Sequence, residues 1–227
     1  MVLLNHVDDL RSLTTFAHEM GHAIHAERSK GQAPLYQGHS TAVAETASTL
    51  FENLVFKALL KSMSPKEQVA ALHAKLDDDM ASIMRQIAFF NFEKDLHARV
   101  RTEGSMTREE MAKLLAEHLR AQLGPAVKVD DRDGYSFVYV SHFRRFFYVY
   151  TYAYGNLISN VLADRWADDP RYIESIDRFL CAGASASPEN IFKDIGVDTK
   201  DPTFFKKGLA RMEADVKLLQ KLTRRTS

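Results

Sequence analysis

Hydrophobic and polar residues along the chain form long stretches that proline and the ten glycines rarely interrupt. Stretches of this length and pattern favour helices over strands. The predicted helices cover residues 12–30, 41–63, 65–101, 105–124, 143–168, 170–183 and 201–225. The segments between them contain no internal repeat or low-complexity tract. The pattern therefore predicts a mainly α-helical protein with a single domain over residues 1–227.

Three segments qualify this helical picture. Residues 2–5 are a short β-type run, which predicts a β edge segment near the N-terminus. Residues 127–143 are expected to be irregular or weakly extended. Residues 143–168 are rich in β-branched and aromatic side chains that a strand would tolerate, but their length argues for a buried helix.

Capping signals mark the ends of two predicted helices. Ser12 or Thr14 is the predicted N-cap of the first helix. Thr107 is followed three residues later by Glu110, which is the capping-box pattern. That helix is expected to end at Gly124.

Composition argues against two classes of partner. The 30 basic and 30 acidic residues leave a formal net charge of zero, so the chain lacks the basic excess typical of proteins that bind nucleic acids or anionic membranes. No apolar run is long enough to cross a bilayer, and the first residues lack the pattern of a signal peptide. Cys181 is the only cysteine, so an intramolecular disulfide is excluded. We therefore expect a cytoplasmic protein without a nucleic-acid or membrane partner.

The candidate chemistry lies in FAHEMGHAIHAE, residues 16–27. On a helix, His18 and His22 share a face and can bind one metal ion. Glu19 lies about 100° further around the helix, where it can reach a water molecule at the ion rather than the ion itself. The HExxH motif of zinc peptidases has this arrangement of two metal ligands and one base. Gly21 costs about 1 kcal/mol relative to alanine in a helix, which indicates a close approach to the backbone there.

A catalytic zinc ion usually takes three protein ligands and leaves a fourth position for water. His25 lies about one turn beyond His22 and His39 lies in the following loop, so both are weaker alternatives for the third ligand. Glu45 is favoured, because small residues around it allow the second helix to pack closely against the first. Glu52 follows on the same face, where it can hold the other nitrogen of a liganding histidine. The alternative for Glu52 is a surface carboxylate.

These segments resemble the oligoendopeptidase F branch of the thimet oligopeptidase family of zinc peptidases. FAHEMGHAIH followed by AVAETASTLFENLV carries the resemblance most specifically. RQIAFFNFEKDLH, SHFRRFFYVYTYAYG and FLCAGASASPENIFKDIGVDTKDPTFFKKGL are similar to later segments of that branch, in the same order. The resemblance covers essentially the whole chain and implies a zincin-like, mostly helical catalytic domain with a deep channel.

The resemblance implies an activity and a metal centre. Members of this branch hydrolyse internal bonds of short oligopeptides. Carried over by motif, His18, His22 and Glu45 would bind one zinc ion per chain, and Glu19 would be the general base.

The resemblance also implies a second group of site residues. The family uses a histidine followed by tyrosines to bind substrate and steady the transition state. His142 opens that segment here, and Tyr148 and Tyr152 lie four apart on one helix face, with Tyr150 as a further candidate. The alternative for each tyrosine is a core aromatic ring with a satisfied hydroxyl.

Full-length members of the family carry a large helical region before the HExxH motif, so the resemblance is to their C-terminal catalytic part. One alternative is therefore a zinc-binding fragment that is inactive without an N-terminal region. Another is a helical interaction module whose histidines are structural and bind no metal. Homo-oligomerisation stays open.

Overall fold

The computed structural model describes residues 2–226, in which nine α-helices hold most of the chain. They are α1 (Leu10–Arg28), α2 (Thr41–Ser62), α3 (Pro65–Met80), α4 (Gln86–Glu103), α5 (Arg108–Leu123), α6 (Tyr150–Asp168), α7 (Ile173–Cys181), α8 (Pro188–Asp194) and α9 (Pro202–Thr226). A π-helical segment, Ala81–Arg85, connects α3 to α4. The prediction of a mainly helical protein is confirmed. Within these residues, no helix combines the length and hydropathy needed to span a membrane.

The predicted β segment over residues 2–5 is wrong, because no strand occurs anywhere in residues 2–226. A strand becomes stable when a neighbouring strand completes its backbone hydrogen bonds, and the described chain offers no such neighbour. Residues 2–7 instead form an irregular lead into α1.

α1 begins earlier than the capping signals predicted. Asp9 is its N-cap, rather than Ser12 or Thr14, and the Asp9 carboxylate accepts the Ser12 N–H at 2.7 Å. The capping box of Thr107 and Glu110 forms as predicted at the start of α5.

The chain divides into two compact units. The first comprises Met1–Asp77 and Tyr154–Ser227, and its main core joins α2, α6, α7 and α8. Its most enclosed apolar side chains include Leu50, Ile158, Leu162, Phe179 and Phe192. A single domain over residues 1–227 stays a prediction.

The second unit is Asp78–Ala153. Its core contains Phe89 and Phe92 of α4, Leu114 and Leu115 of α5, and Val149. A 3₁₀ helix, Asp131–Val138, occupies much of the segment that was expected to be irregular.

α6 begins at Tyr150, seven residues later than predicted. The preceding residues form a short 3₁₀ helix, Ser141–Arg145, and then a turn in which Phe146 and Phe147 have φ angles of 20° and 55°. Two consecutive residues with positive φ cannot continue a right-handed helix. The long aromatic helix predicted from residue 143 is therefore shorter in the structure.

Candidate metal centre

α1 carries His18 and His22 on one face, because the two residues are four positions apart. Their ring centroids lie 5.0 Å apart, and the ring planes cross at 80°. Both side chains are partly buried. The two imidazoles are therefore close enough to bind the same ion.

α2 adds a carboxylate to the two imidazoles. The ligand atoms of Glu45, His18 and His22 all lie within 4.8 Å of one another, and His18 Nε2 is 3.6 Å from Glu45 Oε2. Across residues 2–226, this is the one group of three histidine, cysteine or acidic side chains that converges in this way. Two imidazoles and one carboxylate form a known ligand set for catalytic zinc, with a fourth position for water. The side chains present therefore fit a zinc ion of that kind.

The charges around His18 favour a cation at the same place. Burial alone would lower the pKa of His18, but hydrogen bonds and charge interactions with Glu45 and Glu52 outweigh burial and raise that pKa to about 9. The pKa of His22 is lowered, chiefly by burial and also by the nearby His18. The carboxylates thus stabilise a positive charge beside His18, which a metal ion would supply in place of the proton.

Glu52 contacts the nitrogen of His18 that faces away from Glu45. The His18 Nδ1–H donates to Glu52 Oε2 at 3.1 Å. Such a contact fixes the orientation of a liganding ring and leaves Nε2 for the ion. The contact lies where the sequence predicted a carboxylate beside a liganding histidine.

Glu19 lies next to His18 on α1 and is half-buried. Its negative charge acts on His22 and partly offsets the lowering of that residue's pKa. Glu19 is not one of the three converging side chains, as expected for a residue about 100° further around the helix.

Close packing of α1 against α2 sets the distances between the two α1 imidazoles and the Glu45 carboxylate. A Cβ atom at Gly21 would lie 2.7 Å from the Cα of Ser48, so only glycine allows α1 and α2 to approach this closely. A Cβ atom at Gly155 of α6 would lie 3.1 Å from the backbone nitrogen of Thr46 and 3.2 Å from the Cβ of Glu45. The part of α2 that carries Glu45 is therefore tightly packed against both neighbouring helices.

Buried polar side chains that join α2 to α6 were not identified from the sequence. Asn53 Nδ2 donates to Ser159 Oγ at 3.1 Å and to Asn160 Oδ1 at 3.0 Å, and Asn160 Nδ2 donates to Asn156 Oδ1 at 3.0 Å. The signal was present in α6, where the three polar residues occur at helical spacing within an otherwise apolar stretch.

The alternative third ligands, His25 and His39, lie outside the converging group. Their rings stack on each other with centroids 3.8 Å apart and planes 6° apart. His25 is fully buried, and burial, followed by charge interactions with His39 and His22, lowers its pKa to about 3. These two histidines form a stacked pair and do not join the three converging side chains.

The second unit brings three of the predicted substrate-binding residues together. His142 Nε2 and Tyr152 Oη are hydrogen-bonded at 2.9 Å. The Tyr148 ring stacks on His142 with centroids 5.4 Å apart and also contacts Tyr152 edge-on. Tyr150 is 45% exposed and packs against Phe90 instead. A phenol bonded to an imidazole can donate a hydrogen bond to an oxyanion.

Two curated relatives match nearly all of this chain. Oligoendopeptidase F homolog from Lactococcus lactis subsp. lactis (strain IL1403) is 31% identical over 228 residues, which cover 97% of this chain and 37% of the relative. Group B oligopeptidase PepB from Streptococcus agalactiae serotype III (strain NEM316) is 33% identical over 200 residues, which cover 87% of this chain and 33% of the relative. The chain thus spans well under half the length of either relative.

A solved structure agrees with these relatives. The crystal structure of oligoendopeptidase-F from Enterococcus faecium superposes with a TM-score of 0.80 and 26% sequence identity, over 95% of this chain and 40% of that one. The sequence pattern of Peptidase family M3 matches residues 1–211, a range that includes the HExxH segment, Glu45 and the segment from His142 to Tyr152. The resemblance inferred from the sequence is confirmed, and this chain belongs to peptidase family M3.

Proposed function

We propose that this chain is the zinc-binding catalytic part of a metallopeptidase that hydrolyses internal bonds of short oligopeptides. The observation that carries the proposal is the convergence of His18, His22 and Glu45 within 4.8 Å, with Glu19 beside them. Family membership and the peptidase names of the relatives support the reaction class. One zinc ion per chain is proposed, since two imidazoles and a carboxylate suit zinc.

The residues around the proposed zinc ion have separate roles. When bound, zinc supplies a positive charge that polarises a peptide carbonyl and lowers the pKa of water to about 7. Glu52 keeps the His18 ring oriented through its Nδ1–H. Glu19 accepts a proton from the attacking water as its oxygen bonds to the carbonyl carbon. Glu19 then passes this proton to the leaving amine as the C–N bond breaks.

His142, Tyr152 and Tyr148 are the proposed contacts to the substrate. The hydrogen-bonded pair of His142 and Tyr152 would donate to the oxyanion of the tetrahedral intermediate, and Tyr148 would support the imidazole by stacking. One donor of this kind is typically worth about 2.7–4 kcal/mol in the transition state.

The first experiment measures the metal content of the purified chain together with cleavage of a quenched fluorescent peptide. We expect about one zinc ion per chain and measurable cleavage. Glu19→Gln should retain the zinc and lose activity by about 10²–10⁴-fold, since it removes the general base. Glu27→Gln is the matched control, because this exposed α1 carboxylate pairs with Lys30. Full activity of Glu19→Gln would contradict the mechanism. Failure of the unmodified chain to bind added zinc would mean that His18 and His22 have only a structural role.

A zinc-binding part that is inactive by itself is the second candidate. The observation that favours it is that the chain covers 37% of the Lactococcus lactis relative. It predicts bound zinc without cleavage, measured beside a full-length homologue as the positive control. Cytoplasmic location and homo-oligomerisation stay predictions.

A further inference from the structure

The chain reverses between the short helix that carries His142 and the start of α6. At this turn Phe146 and Phe147 have φ angles of 20° and 55°. Bulky L-residues rarely adopt this region, because their Cβ atoms crowd the backbone. A turn of this kind persists where the surrounding structure holds it.

One face of α4 makes the contacts that hold this turn. Phe90, Glu93 and His97 share that face at helical spacing. Glu93 Oε1 accepts the Phe147 N–H at 2.7 Å. The rings of Phe90 and His97 lie 5.8 Å and 5.1 Å from the Phe147 ring, centroid to centroid. Both the amide and the ring of Phe147 are therefore fixed against the same helix.

Burial of the Glu93 side chain at this position is energetically unfavourable. It is only 1% exposed, and its second oxygen, Oε2, is buried without a hydrogen-bond partner in the structure. Burying a carboxylate is unfavourable unless hydrogen bonds or charges compensate. An apolar side chain such as leucine would serve helix formation equally well and core packing better. The contact that distinguishes Glu93 from such a side chain is its bond to the Phe147 amide.

The turn lies between two residues whose side chains are hydrogen-bonded to each other. His142 precedes it and Tyr152 follows it, and their polar atoms are 2.9 Å apart across ten sequence positions. Tyr148, directly after the turn, stacks on the His142 ring. The turn at Phe147 is therefore part of the segment that joins all three side chains.

We propose that Glu93 is a positioning residue that holds the turn at Phe147 and thereby keeps His142 bonded to Tyr152. Glu93 acts through the backbone amide of Phe147. Its effect on catalysis rests on the proposed function, in which this pair contacts the substrate. Its effect on the geometry of the turn does not.

The test compares Glu93→Ala and Glu93→Gln with the unmodified chain by NMR. The measurements are hydrogen exchange of the Phe147 amide and the ¹⁵N shifts of the His142 ring, which report whether Nε2 is hydrogen-bonded. Glu93→Ala should speed exchange of that amide by at least about tenfold, because a hydrogen bond to a charged acceptor is lost. It should also shift the Nε2 signal. Glu93→Gln keeps an acceptor oxygen and should restore both readings towards those of the unmodified chain.

Asp95→Ala is the matched control, because it removes another α4 carboxylate, one that pairs with His118 at 3.0 Å. It should leave Phe147 and His142 unchanged. A folded Glu93→Ala variant with unchanged Phe147 exchange and His142 shifts would overturn the proposal. If Glu93→Ala does not fold, hydrogen exchange of the Phe147 amide is measured in the unmodified chain alone. Rapid exchange there would equally overturn the proposal.

Peptide cleavage separates this proposal from the proposed function. Where the chain is active, Glu93→Ala should lower kcat about 10–100-fold through misplacement of the donors, with KM and zinc content little changed. Altered NMR signals with unchanged kcat would leave the positioning role standing and contradict the role of the pair in catalysis. Altered NMR signals in a chain that never cleaves peptide would support positioning while counting against self-sufficient activity. Unaltered NMR signals would overturn the positioning role whatever the activity.

Discussion

His25 is fully buried, and neither of its ring nitrogens has a hydrogen-bond partner in the structure. Burial, with the charges of His39 and His22, lowers its pKa from 6.5 to about 3. Between pH 6.5 and about 3, the His25 ring is therefore protonated in the unfolded chain and neutral in the folded chain. The stability that the neutral ring contributes is fully present above pH 6.5 and is lost as the pH falls towards 3.

We expect His25→Leu to weaken this acid sensitivity. One such proton changes the free energy of unfolding by up to about 1.4 kcal/mol per pH unit. Urea unfolding from about pH 7 to about pH 4 should show a shallower loss of stability in His25→Leu. His73→Leu removes an exposed histidine and serves as the control. Equal slopes for both variants and the unmodified chain would contradict the assignment to His25.

The contact between Glu52 and His18 gives a second prediction for a single residue. Glu52→Ala should weaken zinc binding about 10–100-fold, because the His18 ring loses the partner that orients it. Glu52→Gln retains an acceptor oxygen and should lose less. Competition with a chelator of known affinity measures both variants. Equal zinc affinity in Glu52→Ala and the unmodified chain would mean that packing alone orients the ring.

The convergence of the candidate metal ligands was predictable where helical spacing decides. His18, His22 and Glu52 follow from the spacing of four and seven positions along helices, and Glu45 follows from the small residues around it. The stacking of His25 on His39 was not predictable, since it depends on where a loop returns. Glu93 was missed because its partner is 54 positions away.

At the scale of secondary-structure elements, the close contact of α1 and α2 depends on Gly21. Gly21→Ala gains about 1 kcal/mol of helix propensity but forces a Cβ to within 2.7 Å of the Ser48 Cα. Overpacking against backbone typically costs about 1–3 kcal/mol, and this contact is at the severe end. We therefore expect a net loss of about 1–2 kcal/mol.

Urea unfolding followed by the fluorescence of Trp166, the chain's one tryptophan, measures this loss in the first unit. Gly38→Ala is the control, because a Cβ at Gly38 meets no atom within 4 Å. A Gly21→Ala variant as stable as Gly38→Ala would show that α1 and α2 can separate at no cost.

Element boundaries were predictable to the extent that local signals set them. The capping box of Thr107 and Glu110 gave the start of α5. The start of α6 was not predictable, since the turn at Phe147 is held by a side chain of α4. The β segment over residues 2–5 failed for a related reason, because local propensity says nothing about whether a partner strand exists.

At the scale of the whole molecule, zinc should stabilise the unit that binds it. A zinc concentration about 100 times the Kd contributes about 2.7 kcal/mol, which raises the Tm by roughly 5–10 °C for a unit of this size. Thermal unfolding followed by Trp166 fluorescence, with and without zinc, tests this. His22→Ala should abolish most of the shift, and an equal shift in that variant would place the zinc elsewhere.

The candidate metal ligands come from two consecutive helices, and the contact that orients His18 joins it to Glu52, only 34 positions away. The bonds from Asn53 to α6 span up to 107 positions. Short loops lose less entropy on closing, and local contacts form early in folding. We therefore expect α1 and α2 to bring the candidate metal ligands together before α6 packs against them. Zinc can then bind a partly folded chain. In stopped-flow refolding, zinc would then increase the folding rate itself, whereas an effect confined to the unfolding rate would mean that the donors meet last.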